Sequence, residues 1–387
     1  MTTSPVGAPG PHEGVRVVGI AGGGQLAQMM LPAARRLGLE VVVLDPEPQC
    51  SAAGEAAHVV VGAFDSLDAL RDLASRSDVV TFEIERISTS ALRALEAEGH
   101  CVRPAAAVLE VIQDKLVQKQ FLERHGIPTS AFVACELPGV LPWALPCVWK
   151  ARRDGYDGRG VAVLRETDDV ARLPVGPAML ERLVDIDYEL AVMIARDADG
   201  HVVPYPLTEI LMDPQAHVMD TVVAPAIAPA AIAARCARLA EAVVTALDYV
   251  GILAIEFFVD RHGEVLVNEI SPRPHNSGHY TIEACQTSQF EQHLRAVSGR
   301  PLGSATLLRP AVTFNVLGAP GAQGTPRYVG FDAFAGDDDV HVHCYDKPQV
   351  RPGRKMAHVT VLGATREAAL ARAAQVRGQV RVEGYDD

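Results

Sequence analysis

"ILAIEFFVDRHGEVLVNEISPRP" runs from Ile252 to Pro274. Two apolar, β-branched runs flank the turn Arg261–His262–Gly263, which predicts an antiparallel hairpin. Each run carries an acid inside otherwise apolar sequence: Glu256 in the first, Glu269 beside Asn268 in the second. A carboxylate placed there needs a partner or a cation to offset its desolvation. Two such acids on paired strands can bridge one or two Mg2+ ions against nucleotide phosphates. The plainer alternative, a pair of strand-edge acids facing water, fits poorly with such apolar neighbours.

The chain opens differently. "VRVVGIAGGGQLAQMM" (15–30) places Gly22, Gly24 and Ala27 in a G-x-G-x-x-A pattern straight after a strand-like run, and "LEVVVLD" ends at Asp45. That spacing is also found in dinucleotide folds. Strand and helix patterns alternate up to Arg103, predicting an open parallel sheet with crossover helices, and Gly38 and Gly99 read as helix C-terminal signals. After a break at "VRPAAAV", "VIQDKLVQKQFLERHGIP" (111–128) reads as one amphipathic helix. "LPCVWKARRDGYDGRGVAVLR" (145–165) reads as strand, glycine-rich turn, strand. "AAIAARCARLAEAVVTALDYVG" (230–251) reads as a long helix. The tail from Arg309 shows the strands "AVTFNVLG", "DVHVHCYD" and "MAHVTVLG" and a final helix, "TREAALARAAQVRG". These shifts divide the chain into a disordered lead-in (1–13), an α/β domain (14–112), a strand-rich middle (113–308) and a small mixed domain (309–387).

Three further stretches carry chemistry. In "WKARRDGYDGRG", Gly155, Gly158 and Gly160 alternate with Lys150, Arg152, Arg153 and Arg159. Glycines let backbone amides approach phosphate oxygens and the cations supply charge-assisted bonds. A hairpin tip with solvated charges explains the same pattern equally well, and no P-loop is present. "MLERLVDIDYELAV" (179–192) ends one apolar strand at Glu181–Val184 and begins the next near Glu189; alone it reads more readily as a surface hairpin. "YDKPQVRPGRKMAH" (345–358) concentrates Lys347, Arg351, Arg354 and Lys355, which suits a phosphate site or a solvated turn.

The totals restrict partners. Across 387 residues, 35 Lys+Arg stand against 48 Asp+Glu, a net charge of −13. A nucleic-acid or anionic-lipid face is therefore not expected, and any anionic ligand must be held by a local basic cluster. The seven cysteines form no C-x-x-C pair, which fits reduced thiols in a cytoplasmic protein rather than a disulfide framework or zinc site. No signal-peptide or membrane-spanning run is seen.

Taken together, "GGGQLAQMM", "QDKLVQKQFL", "KARRDGYDGRG", "NEISPRPHNSGHY" and "YDKPQVRPGRKMAH" resemble the ATP-grasp superfamily, and within it the 5-(carboxyamino)imidazole ribonucleotide synthetases. The resemblance covers nearly the whole chain. It implies an α/β, in part α+β, architecture: an ATP-grasp fold with a Rossmann-like N-terminal domain that binds no dinucleotide, and a small mixed C-terminal domain. It implies ATP, Mg2+, bicarbonate and aminoimidazole ribonucleotide as ligands, and a cytoplasmic homodimer.

The family's residues carry over by position. Lys115 and Lys150 would hold ATP phosphates, and the loop Gly155, Tyr156, Asp157, Gly158, Arg159 and Gly160 would cover them. Glu181, Arg182, Leu183 and Val184 would form the adenine hinge, with Glu189 on the ribose. Glu256 and Glu269, with Asn268 beside them, would hold Mg2+. Gly24, Gln25 and Glu83 would approach the ribotide, as would Tyr156, Asp157, Arg159, Lys347, Arg354 and Lys355. Arg273, His275, Asn276 and Ser277 would lie near the bicarbonate and the transferred phosphoryl group; Arg273, His275, Asn276 and Lys347 would be the catalytic set. Two departures stand out: Met212 stands in place of a nucleotide-contacting histidine, so that either His217 substitutes or the contact is lost, and Asp154 stands where small or apolar residues are usual. The "YDK…RPGRK" tail argues against the formate-using transformylase and biotin carboxylase branches. The retained Glu256, Glu269 and Lys150 argue against a catalytically silent homologue. A dinucleotide-dependent oxidoreductase would rest on Gly22–Ala27 and Asp45 alone.

Overall fold

The computed structural model describes residues 14–137, 141–153, 160–212 and 219–385. At the N-terminus, apolar runs pair in parallel in the order His58–Val61, Glu40–Asp45, Val17–Ala21, Val79–Phe82. Helix Gln25–Leu37 follows the glycine turn and ends at Gly38, whose φ of 64° is the left-handed conformation a glycine cap allows. Helices Leu67–Ser75 and Thr89–Ala97 begin at Ser66 and Ser88, whose side chains accept from the third residue beyond. The edge strand His58–Val61 escapes the sequence pattern because it has four residues and only one of them buried.

The single helix expected over 111–128 is two helices. Ala106–Ile112 ends, and Asp114 starts Lys115–Arg124 by accepting from the Leu116 and Val117 amides. The aspartate is an N-cap, and it breaks a pattern that periodicity alone reads as continuous.

Two antiparallel sheets follow, besides a two-stranded one that pairs Thr325–Val329 with Arg381–Tyr385. The smaller has the order Phe132–Leu137, Gly176–Arg182, Cys147–Ala151, Val161–Leu164. The larger runs Val265–Ser271, Gly251–Asp260, Ile186–Arg196, Thr208–Met212, Met219–Ala224, Ala311–Leu317, Lys355–Leu362, Val340–Cys344, with Val202–Pro204 added to Ile186–Arg196. This sheet passes without a break across residue 309, where Met219–Ala224 pairs with Ala311–Leu317. The small sheet is tied to the large one where the Val267 amide donates to Pro128 O at 2.8 Å and Thr129 Oγ1 donates to Val267 O at 2.6 Å.

Helix Ala230–Ala246 packs its Cys236, Leu239 and Val243 onto the large sheet, and Arg366–Arg377 covers the C-terminal strands. Helix Gln289–Val297 joins the N-terminal core, where Phe290 and Leu294 meet Leu26 and Met30. Its His293 spans the two domains, with Nε2 2.9 Å from Thr81 Oγ1 and Nδ1 accepting from the Ile252 amide. Burial keeps that imidazole neutral, its pKa lowered to about 3. No helix among the described residues is long and apolar enough to cross a membrane, and all seven cysteines are free thiols.

Candidate active site

The hairpin brings the two acids face to face: Glu256 and Glu269 are register partners across Gly251–Asp260 and Val265–Ser271. Lys115, at the start of its helix, ion-pairs with Glu269 Oε1. Burial pushes the Glu256 carboxyl up to about 8, Glu269 and Glu189 add to the rise, and Lys115 and Lys150 oppose it. Burial acts the same way on Glu269, but Lys115, Lys150 and Lys119 outweigh it and hold that carboxyl below its ordinary range. Two carboxylates sharing a site cannot both ionise cheaply without added positive charge. With the Asn268 amide between them, they offer hard oxygen donors on one face, a set that fits Mg2+.

The small sheet meets this pair from the opposite side. Lys150 Nζ lies 3.2 Å from Asn268 Oδ1 and 3.0 Å from Glu181 Oε1. Glu181 is buried and also takes Ser130 Oγ at 2.6 Å and Lys119 Nζ at 3.4 Å. Despite burial, the two lysines and Ser130 bring its carboxyl down to about 2. Burial, partly offset by Glu181, lowers Lys119 to about 8. The Glu181 side chain is thus held by Lys119, Lys150 and Ser130. Arg182 lies over the Trp143 ring, 5.1 Å from its centroid, and Leu183 is exposed at 38%. Glu189, half-buried beside Glu256 and Lys150, is raised to about 6 by burial.

The neck of the glycine-rich loop is anchored to the Lys115 helix. Asp114 takes Arg152 through Nε and Nη2, the shorter contact being 2.6 Å, and Arg153 Nε stands 3.6 Å away. The Lys115 amide donates to Arg152 O, and the Ala151 amide donates to Gly160 O. Gly155, Tyr156, Asp157, Gly158 and Arg159, with Asp154 and His217, lie outside the described residues.

Past the second acid the chain turns back into the cleft. Arg273 Nη2 pairs with Glu85 Oε1 at 3.1 Å. His275 Nε2 stands 3.9 Å from Glu256 Oε1, and its Nδ1 is 3.0 Å from Ser277 Oγ. Burial, with Arg273 and Lys355 nearby, drives the His275 pKa well below its ordinary value. Ser277 is itself buried, with its hydroxyl engaged by His275 and Met193. Lys115, Glu269, Arg273, His275 and Asn276 line a cleft of about 660 Å3.

The N-terminal glycine turn faces the same space. The Gly23 amide donates to Asp45 Oδ2 and the Gly24 amide to Glu83 Oε1, each at 2.9 Å. Gly22 has φ of 109°, and a Cβ there would stand 2.6 Å from Glu83 Cγ. Two carboxylates therefore hold the amides that a dinucleotide fold offers to pyrophosphate. Glu83 is buried, and burial raises its pKa. A second cavity, of about 1180 Å3, lies between this turn and the basic tail: Gly24, Gln25 and Glu83 on one wall, Lys347, Arg354 and Lys355 on the other. Gln25, Glu83 and Lys355 border both cavities. Lys347 Nζ donates to Lys355 O at 2.8 Å and Arg354 Nη1 to Gln349 O at 2.7 Å, which fixes the shape of the tail.

Several side chains at this site were not singled out from the sequence. Lys119 had a signal, since it follows Lys115 by one helical turn. Asp114 carries the local signature of a helix N-cap, whereas Glu85 acts through its contact with Arg273, distant in the chain, and no local pattern marks it.

Family models match along the chain in order: a ribonucleotide synthetase preATP-grasp domain over residues 15–113, an ATP-grasp domain over 120–290, and a phosphoribosylaminoimidazole carboxylase C-terminal domain over 311–372. The N5-carboxyaminoimidazole ribonucleotide synthase of Brucella melitensis is 40% identical over 358 residues, covering 89% of this chain and 95% of that protein. The crystal structure of the Thermotoga maritima N5-carboxyaminoimidazole ribonucleotide synthetase superposes with a TM-score of 0.88 at 41% identity, over 96% of this chain and 100% of the other. An Aspergillus clavatus N5-carboxyaminoimidazole synthase, solved with ADP and 5-aminoimidazole ribonucleotide, superposes with a TM-score of 0.84 at 31% identity, over 94% and 98% of the two chains. With all three parts of the chain matched and the likeness running nearly end to end, the chain belongs to the N5-carboxyaminoimidazole ribonucleotide synthase family of ATP-grasp ligases.

Proposed function

We propose that the protein uses ATP and bicarbonate to carboxylate the exocyclic amine of 5-aminoimidazole ribonucleotide, a step of purine biosynthesis, yielding N5-carboxyaminoimidazole ribonucleotide, ADP and phosphate. The observation that carries this reading is the shared wall of the two cavities. A cleft built for phosphate chemistry opens, past Gln25, Glu83 and Lys355, onto a cavity edged by the basic tail.

In this reading a bicarbonate oxygen attacks the γ-phosphorus, the bond to the β-phosphate oxygen breaks, and ADP leaves. The ribotide amine then bonds to the carboxyl carbon of carboxyphosphate, or to CO2 released from it in the closed site. Phosphate departs and the amine loses a proton. Lys115 and Lys150 hold the ATP phosphates. Glu256, Asn268 and Glu269 would hold Mg2+, which supplies charge neutralisation on the phosphate oxygens when bound. The backbone of Glu181–Val184 reads adenine and Glu189 takes the ribose. Arg273 and Asn276 hold the bicarbonate and the phosphoryl group. His275 enters as a neutral imidazole, a hydrogen-bonding partner rather than a cationic clamp. Lys347, Arg354 and Lys355 take the ribotide 5′-phosphate, so that binding energy remote from the amine positions it for carboxyl transfer.

Phosphate release from ATP, measured with and without the ribotide and bicarbonate, tests the reading. The expected result is release strongly stimulated by the ribotide together with a carboxylated product. ADP formation indifferent to the ribotide, with no carboxylated product, overturns it.

A further inference from the structure

Gln289, the first residue of its helix, has no exposed surface. Its Oε1 accepts from the His275 amide at 2.9 Å, and its Nε2 donates to His275 O at 2.8 Å. This two-point grip on one residue's backbone settles which end of the Gln289 amide is oxygen. The same Nε2 lies 3.0 Å from His279 Nδ1. An amide nitrogen only donates, so Nδ1 must accept and the His279 proton must reside on Nε2.

The His279 ring is 3% exposed and lines the smaller cleft with Arg273, His275 and Asn276. It is stacked between His358 at 4.5 Å and Phe290 at 5.9 Å. Tyr345 OH holds His358 in turn, 3.0 Å from its Nδ1. Among the described residues Nε2 of His279 has no partner. Gly278 also belongs to this device, because a Cβ there would stand 2.4 Å from Gln289 Oε1.

We propose that His279 is a further substrate-contacting residue, a neutral donor that offers its Nε2–H to an oxygen of the carboxyl or phosphoryl group in the cleft, and that Gln289 is the positioning residue that sets its tautomer and the backbone of His275. The proposal rests on the assignment of this cleft to carboxyl transfer. Burial keeps the ring neutral, and Lys355, His343 and Arg273, which face it, reinforce that. A neutral donor suits an oxyanion that develops and is then passed on, since it stabilises charge without trapping an ion pair.

The test has two arms on the full-length protein. In 15N-histidine-labelled protein, with the His279 signals assigned by their loss in His279→Phe, Nδ1 should be unprotonated and Nε2 protonated across neutral pH. In Gln289→Glu a carboxylate faces Nδ1, and the ring should begin to titrate in that range. In kinetics, His279→Phe should lower kcat by about 10²-fold, the scale for losing one transition-state donor. The KM for ATP should change little, and phosphate should be released in excess of carboxylated ribotide. His279→Gln, which keeps an N–H near the place of Nε2, should recover much of the loss. A proton found on Nδ1, or a folded His279→Phe with unchanged kcat and coupling, overturns the proposal. The spectrum of Gln289→Glu reads the same contact if His279→Phe fails to fold. Ribotide-independent turnover of the unmodified protein would instead overturn the assigned activity, leaving the tautomer result standing.

Discussion

Glu181 shows how one buried carboxylate can organise a site. Lys119, Lys150 and Ser130 converge on it, and it holds both lysines in place. Removing it leaves two buried cations without compensation, a change that typically costs about 3–5 kcal/mol. Its folded pKa of about 2 lies below the ordinary 4.5. Its contribution is therefore complete above about pH 4.5 and is lost as pH falls toward 2. Urea unfolding of Glu181→Gln should show a large deficit at neutral pH that narrows progressively below about pH 4.5; a deficit independent of pH contradicts this account. Glu269 plays a different part, since its charge faces the cleft. Glu269→Gln should preserve the fold, judged by circular dichroism, while turnover falls by about 10²-fold or more, because a neutral amide holds no Mg2+ charge. Near-normal turnover at saturating Mg2+ would make Glu269 a structural acid.

Among the elements, the basic tail is the clearest case of a segment whose role depends on what it faces. Lys347, Arg354 and Lys355 stand in a chain of net charge −13 and border the same cavity as Gly24 and Gln25. An anionic ligand approaching an acidic protein is favoured by such a cluster, and arginine grips phosphate at two points. Arg354→Ala should raise the KM for the ribotide and lower kcat/KM by about one to two decades, the equivalent of one charge-assisted contact at roughly 1.5–3 kcal/mol. ATP affinity measured without ribotide should change little. Equal weakening of ATP and ribotide would assign the tail to the nucleotide or to the fold. The Asp114 cap makes a similar point: it starts the Lys115 helix and clamps Arg152, so Lys115 and the neck of the glycine-rich loop share one anchor.

Across the whole molecule, the large sheet and the domain contacts make the parts interdependent. Strands on both sides of residue 309 belong to one sheet. Gln28 Nε2 donates to Asp346 Oδ2 and Ser51 Oγ to Tyr345 O, each at 2.7 Å, so the N-terminal domain holds the tail in place. A chain cut after residue 308 would expose the backbone edge of Met219–Ala224 and uncover apolar side chains such as Val223, which packs in the C-terminal core. Such a fragment should aggregate or lose near-ultraviolet dichroism, checked by size-exclusion chromatography and spectroscopy. A monodisperse, natively packed fragment would show that the ATP-grasp region closes its sheet alone.

The sequence by itself determined the parallel N-terminal sheet, the two acid-bearing strands, the glycine-rich hairpin and the family, because each rests on local periodicity or on a short motif. It also placed Lys115, Lys150, Asn268 and the basic tail in the candidate site. Only the tertiary structure decided what those groups face. The G-x-G-x-x-A turn looks like a cofactor site until Asp45 and Glu83 are seen holding its amides, and Glu83 lies 59 residues from Gly24. Gln289 was invisible for the same reason, since it reaches back 14 residues to His275, whereas Lys119, one helical turn beyond Lys115, had a signal but not its partner Glu181 on the small sheet. Hydrogen bonds and ion pairs between distant segments leave no period in the chain, since their geometry exists only after the elements have packed.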